Sequence, residues 1–198
     1  MMSKTHIAVG VATAVAVTQP QSAGALLAAI LGGSVGGVIC DVDTRANRDA
    51  LLGKVLVMAI AVIILLSDSA LHAGIGSALL RALQSARCIG LAGFAVVALL
   101  CALSPHRGFS HSLLALILFD CALRYAGVPI RAGFACGFLS HVIIDLLNKK
   151  RVRVFYPFGR GLCLNLCYAD GAVNAVLGIC AGIASALLIA FRALPLIP

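Results

Sequence analysis

Apolar runs of near-spanning length recur along this chain, and they constrain its fold more than any other feature. Helical runs are expected at roughly 4–18, 22–40, 50–66, 87–104, 110–126, 131–148 and 171–193. Residues 70–86 read differently. Ile75, Leu79, Leu80 and Leu83 make an amphipathic face opposite Arg81 and Gln84, as in a surface or re-entrant segment. Charged residues make up 11 % of the chain, against about 25 % in ordinary soluble domains. Mean hydropathy is +1.08. Too few polar side chains remain to cover a soluble globule. That excludes a disordered chain, a soluble nucleic-acid module and a small soluble enzyme. The expected fold is all-α, a polytopic helical membrane bundle of about seven spans, because helices satisfy their own backbone in lipid. One domain, 1–198, is expected, with the last span at about 171–193.

The first run has a second reading. Lys4, the apolar stretch 7–17 and the small residues Ser22 to Ala25 also suit a cleavable signal peptide. It is read as a retained helix because His6 belongs to the polar set described below.

Gly32, Gly33, Gly36 and Gly37 form two overlapping small-xxx-small pairs, which let another helix approach closely. Asp120 and Arg124 are spaced for a local i,i+4 pair. Cys88, Cys101, Cys121, Cys136 and Cys180 lie in apolar runs and act as small hydrophobes. Cys163 and Cys167 have a C-x3-C spacing that is not the usual one for zinc. The thiols are read as reduced.

Alternating spans sort the charges. The side holding Met1 also receives the 41–49 and 105–109 loops and the 149–170 segment. It collects Lys4, Arg45, Arg48, Lys54, Arg107, Lys149, Lys150, Arg151, Arg153 and Arg160, ten of the fifteen cations. The positive-inside rule makes that side cytoplasmic. The net charge of +8 is therefore assigned to membrane topology and contact with anionic lipid, with no nucleic-acid partner expected.

The same alternation gathers ionisable groups. His6, Asp41, Asp43, His106, His111, His141 and Asp145 all fall at the Met1 side, from four helices; His72 stays outside. His141 and Asp145 are i,i+4 on one helical face, with Asn148 following at i+7, a spacing that can clamp a divalent ion. Asp41 and Asp43 can both turn toward one cation. His106 and His111 flank a turn at Gly108, with Ser110 a candidate N-cap for the next helix. Arg107 and that helix start suit an anionic oxygen. Ionisable groups near hydrocarbon are costly, about 2.5–3.5 kcal/mol each at mid-helix. A metal offsets that by neutralising carboxylates and occupying imidazole lone pairs. Three Asp and four His exceed the needs of one four-coordinate ion, so two ions are plausible. Mixed N/O donors suit Zn, Mn or Fe without choosing among them. The expected activity is a membrane-embedded metal-dependent hydrolase acting on a phosphoester or lipid-linked substrate through a metal-bound hydroxide. Arg107 and Asp43 would be its catalytic residues.

Several blocks resemble the YdjM-type bacterial inner-membrane proteins, in that family's order across about residues 5–160. They are Thr5-His6, the Gly-rich helix before Asp41-Val42-Asp43, the run from His106 to Ser112, and Ser140 to Asp145 with Tyr156-Pro157-Phe158 following. The resemblance implies a multi-pass inner-membrane protein with His and Asp metal ligands and hydrolase activity, without a substrate. Members are also labelled LexA-binding; no such binding is expected here. The family usually has Pro before the first Asp of the D-x-D block, where this chain has Cys40.

Two other readings use the same residues. A transporter or ion or proton conduit would use the His/Asp cluster, but through the depth of the membrane. A serine protease would use Ser110 or Ser112 with a histidine. Zinc proteases with H-E-x-x-H are excluded because the chain has no Glu. Lipid-phosphate phosphatases that end in H-x3-D want an Arg six residues before that His, whereas Arg131 is ten before His141.

Overall fold

The computed structural model describes residues 2–43, 85–169 and 171–196. The expected run at 50–66, the amphipathic segment 70–86 up to residue 84, His72 and the cations Arg45, Arg48, Lys54 and Arg81 lie outside the described residues. Within them the chain is all-helical. The α-helices are α1 Ser3–Thr18, α2 Ala23–Ile39, α3 Ala86–Leu103, α4 Leu113–Ala126, α5 Arg131–Leu146 and α6 Ala172–Ala193. Short 3-10 turns occupy Cys40–Asp43, Phe109–His111 and Leu194–Leu196.

Among the described residues, three stretches are long and apolar enough to cross a membrane: Ala23–Asp43, Ala86–Leu103 and Ala172–Ala193. At 16, 14 and 16 residues, α1, α4 and α5 are shorter. Sixteen residues rise about 24 Å, against a hydrocarbon thickness of about 30 Å. The outward faces are apolar. Ile179, Ile183 and Leu187, at i,i+4 spacing on α6, are all exposed, as suits a face toward lipid.

Glycine sets the helix spacing. On α2, Gly32 and Gly36 lie against the backbone of α5, where an added Cβ would sit 2.3 Å from Ile130 O and 2.2 Å from Phe134 O. Gly33 and Gly37 lie against α1, with the same construction 2.6 Å from Gly10 O and from His6 O. The two overlapping pairs therefore serve two partners, and α2 runs between α1 and α5 at backbone contact. α6 covers α1, where Ser185 Oγ donates to Ala8 O at 2.8 Å. The α3–α4 pair closes on α5 through a core of Phe94, Phe119, Phe134 and Phe138.

Three local expectations are corrected. Asp120 pairs with Arg131, at 2.6 and 2.8 Å in a two-pronged contact, rather than with Arg124. The cap of α4 is Ser112, which accepts from Ala115 N at 3.1 Å, not Ser110. The helix starts later than expected because residues 109–111 form a 3-10 turn. The positive φ in the 105–109 turn falls on Arg107 at 63°, not on Gly108. Gly108 is still needed, because a Cβ there would sit 2.7 Å from Pro105 O. The described cysteines are all free.

Candidate metal centre

Four elements meet at the end of the bundle that holds Met2. α1 brings His6, and the turn after α2 brings Asp41 and Asp43. The loop after α3 brings His106, Arg107, Ser110 and His111, and the last turns of α5 bring His141 and Asp145. His6, His111 and His141 are fully buried, and Asp41, Asp43, Asp145 and Arg107 are buried too. Every residue expected to ligate a metal is thus in one place. His106 stands at the edge, with 42 % of its side chain exposed.

The imidazoles are braced from behind. His141 Nδ1 lies 2.7 Å from Gly37 O. A carbonyl only accepts, so Nδ1 carries the proton and Nε2 is left with a lone pair. His111 is held the same way. Ser110 Oγ donates to Asp43 Oδ2 in a short contact, so its lone pairs accept from His111 Nδ1 at 2.8 Å. Asp43 Oδ2 also accepts from the Arg107 backbone N–H at 3.2 Å. The two braced rings turn Nε2 toward Nε2, 3.2 Å apart. Two lone pairs at that distance repel unless a cation lies between them.

Carboxylates surround this point. Asp145 Oδ2 is 3.6 Å from His111 Nε2, and Asp41 Oδ1 is 3.7 Å from His141 Nε2. Asp145 Oδ1 is 3.4 Å from His6 Nε2. His6 stacks on His141 with centroids 3.7 Å apart, and neither of its ring nitrogens makes a hydrogen bond among the described residues. Ligand atoms of three sets come within 4.8 Å of one another: His6, His141 and Asp145; Asp41, His111 and His141; Asp43, His106 and His111. The sets share His111 and His141, so they form one contiguous cluster of N and O donors, the mixture borderline divalent ions take.

Arg107 projects into the cluster from its left-handed turn. Its guanidinium meets Asp145 Oδ2 at 3.1 Å and Lys150 O at 2.8 Å, while Nε makes no hydrogen bond among the described residues. Above it opens a cavity of about 720 Å³. Buried Asp41, Arg107 and Asp145 form its floor, and the exposed His106, Lys149, Lys150 and Tyr168 its rim.

A profile of YdjM inner membrane proteins matches residues 1–196. The chain belongs to the YdjM inner membrane protein family. Comparison with curated proteins and with solved structures gave no match. In this YdjM protein the buried His/Asp cluster is a possible metal-binding site at one end of an apolar helical bundle.

Sequence reasoning missed several contributors. Ser110 was expected as a cap, yet it links Asp43 to His111. The donors at the start of α4 were expected to face an anion, but Leu113 N is taken by Val154 O at 2.9 Å and Ala115 N by Ser112. Lys149 and Lys150 entered only as topology cations. Gly37 O, which orients His141, carries no side-chain signal. Asn174, buried on α6, accepts from Met2 N at 3.1 Å and ties α6 to the start of α1. A lone Asn in an apolar run was the available cue.

Proposed function

We propose that this protein is a divalent-metal-dependent hydrolase whose site lies near the cytoplasmic face, acting on a phosphoester or lipid-linked substrate. The observation that carries the reading is the pair of braced imidazoles, Nε2 to Nε2, ringed by Asp41, Asp145 and His6 and opening into a cavity with a basic rim. His6, Asp41, His111, His141 and Asp145 would hold one ion, and Asp43 and His106 are the donors left beside them for a second. A bound divalent ion supplies Lewis acidity that activates water near neutral pH. Zn, Mn and Fe all suit the donors. Arg107 neutralises charge on an anionic substrate oxygen from the cavity floor. Asp43 orients His111 through Ser110 and contacts His106 Nδ1 at the cavity edge.

About seven spans, with the N-terminus cytoplasmic, complete the reading; the ten-to-five bias in cations supports that orientation. A conduit is less well supported, because the described ionisable cluster sits at one end, beneath which α1, α2 and α5 meet backbone to backbone. A serine nucleophile is less well supported as well. Ser110 is fully buried and gives its proton to Asp43, and Ser112 donates to Phe109 O at 2.6 Å.

Elemental analysis of the purified wild type beside His141→Ala and Asp145→Ala tests the reading. Bound transition metal is expected in the wild type, with clear loss in both variants. Equal metal in all three samples overturns the assignment.

A further inference from the structure

Between α5 and α6 the chain runs outside the helices from Lys149 to Ala169, and its surface has an unusual composition. Phe155, Phe158, Leu162, Leu164, Leu166 and Tyr168 are all more than half exposed among the described residues, Phe158 at 78 %. The stretch 149–160 carries five cations, Lys149, Lys150, Arg151, Arg153 and Arg160, and 149–169 holds no acid.

The segment cannot turn these apolar side chains inward, because its backbone is pinned along both limbs. Val152 and Leu162 exchange two hydrogen bonds of 2.8 Å. Arg153 N donates to Arg107 O at 3.0 Å, and Val154 O accepts from Leu113 N. On the return limb Leu164 N reaches Leu146 O at 2.7 Å, and Leu166 N reaches Leu147 O at 3.0 Å. The inward positions are already filled by buried Val152 and Val154. An apolar patch fixed outward beside five cations has the chemistry of the bilayer interface. Rings and leucines enter the acyl boundary, and cations meet anionic phosphates.

We infer that residues 149–168 form an interfacial wedge that seats in the headgroup layer of an anionic leaflet. The same hairpin supplies Lys149, Lys150 and Tyr168 to the rim of the cavity, with Lys149 Nζ 3.7 Å over the Tyr168 ring. Seating the wedge brings the cavity mouth to headgroup depth. Nothing in the inference uses a metal, so it stands or falls separately from the hydrolase reading.

The chain has no Trp, so Phe158→Trp creates a single reporter at an exposed position. In nanodiscs of phosphatidylcholine with phosphatidylglycerol, its emission is expected to be blue-shifted. Brominated lipid should quench it strongly and aqueous acrylamide only weakly, as for a ring in the interface. Adding Arg151→Gln and Arg160→Gln should reduce the quenching by brominated lipid in the anionic discs. Red emission open to acrylamide and untouched by brominated lipid overturns the inference. So does protection from both quenchers, which would mean that protein covers the patch. Leu166→Trp, at a position 70 % exposed, repeats the measurement should Phe158→Trp fold poorly.

Discussion

His111 and His141 come from different elements, yet each is braced at Nδ1 and presents Nε2 to the other across 3.2 Å. The brace on His111 is Ser110, and that gives the two serines of this loop opposite expected phenotypes. Ser110→Ala removes the acceptor that fixes the His111 ring. Metal affinity should fall about 10–100-fold, as when other residues that orient a ligand are lost. Ser112→Ala removes the cap of α4 and should cost about 0.5–2 kcal/mol of stability, with metal content unchanged. Metal titration and thermal unfolding in detergent separate the two. Equal metal affinity in both variants would show that Ser110 does not orient the site.

Helix contact through glycine makes a second prediction. A Cβ at Gly137 would sit 2.4 Å from Gly33 O and 2.9 Å from Gly37 N. Both contacts are backbone, so α5 must move away from α2. Gly137→Ala should destabilise the bundle by about 1–3 kcal/mol. It should also weaken metal binding, because Gly37 O holds His141 across this contact. Gly182→Ala is the control, since nothing lies within 4 Å of its new methyl group. Relief of glycine's conformational freedom should there stabilise α6 by about 0.5–1 kcal/mol. A lower unfolding temperature for Gly182→Ala, or none for Gly137→Ala, contradicts the packing argument.

The convergence of His6, Asp41, His111, His141 and Asp145 was legible because it depends only on the order of apolar runs. Alternation across a membrane assigns each run's ends to a side, and glycine pairs such as Gly33 and Gly37 mark which helices touch. The pairing of Asp120 was not legible. Arg124 is nearer in sequence, but Arg131 reaches the carboxylate with two nitrogens across the α4–α5 turn. Nor could Ser110 be told from a cap. A serine beside a helix start has that role by default, and its link to Asp43 joins residues 67 positions apart. The first run was read to its true end, whereas α4 starts at Leu113 rather than about 110 and α5 ends at Leu146 rather than about 148. Residues 109–111 take a 3-10 turn ahead of α4, which composition and spacing do not mark.

Arg107 should separate substrate binding from metal binding. Its guanidinium rests on Asp145 at 3.1 Å and lines the cavity floor. With inorganic phosphate as the probe, Arg107→Gln in the metal-loaded protein should lose roughly 10–100-fold in affinity, the range of one charged hydrogen bond. Metal content should persist. Were metal to fall in step with phosphate affinity, Arg107 would be acting only through Asp145.

Metal binding should be coupled to protons, and the sign follows from the braced rings. With Gly37 O and Ser110 holding both Nδ1 protons, the space between the Nε2 atoms takes either a proton or a metal ion. A proton there turns one ring into an imidazolium, which Asp145 at 3.6 Å stabilises. An ion must displace it, because a protonated Nε2 has no lone pair to give. Metal affinity should therefore fall as pH falls, and binding at neutral pH should release about one proton per ion at this pair. Calorimetric titration of the apo protein with zinc, in two buffers of different ionisation enthalpy, reads that proton directly. The apparent enthalpy should differ between the buffers in the wild type and differ less in His111→Ala, where the pair is gone. Identical enthalpies in the two buffers for the wild type would mean that the facing nitrogens hold no displaceable proton, and the argument for a cation between them would fail.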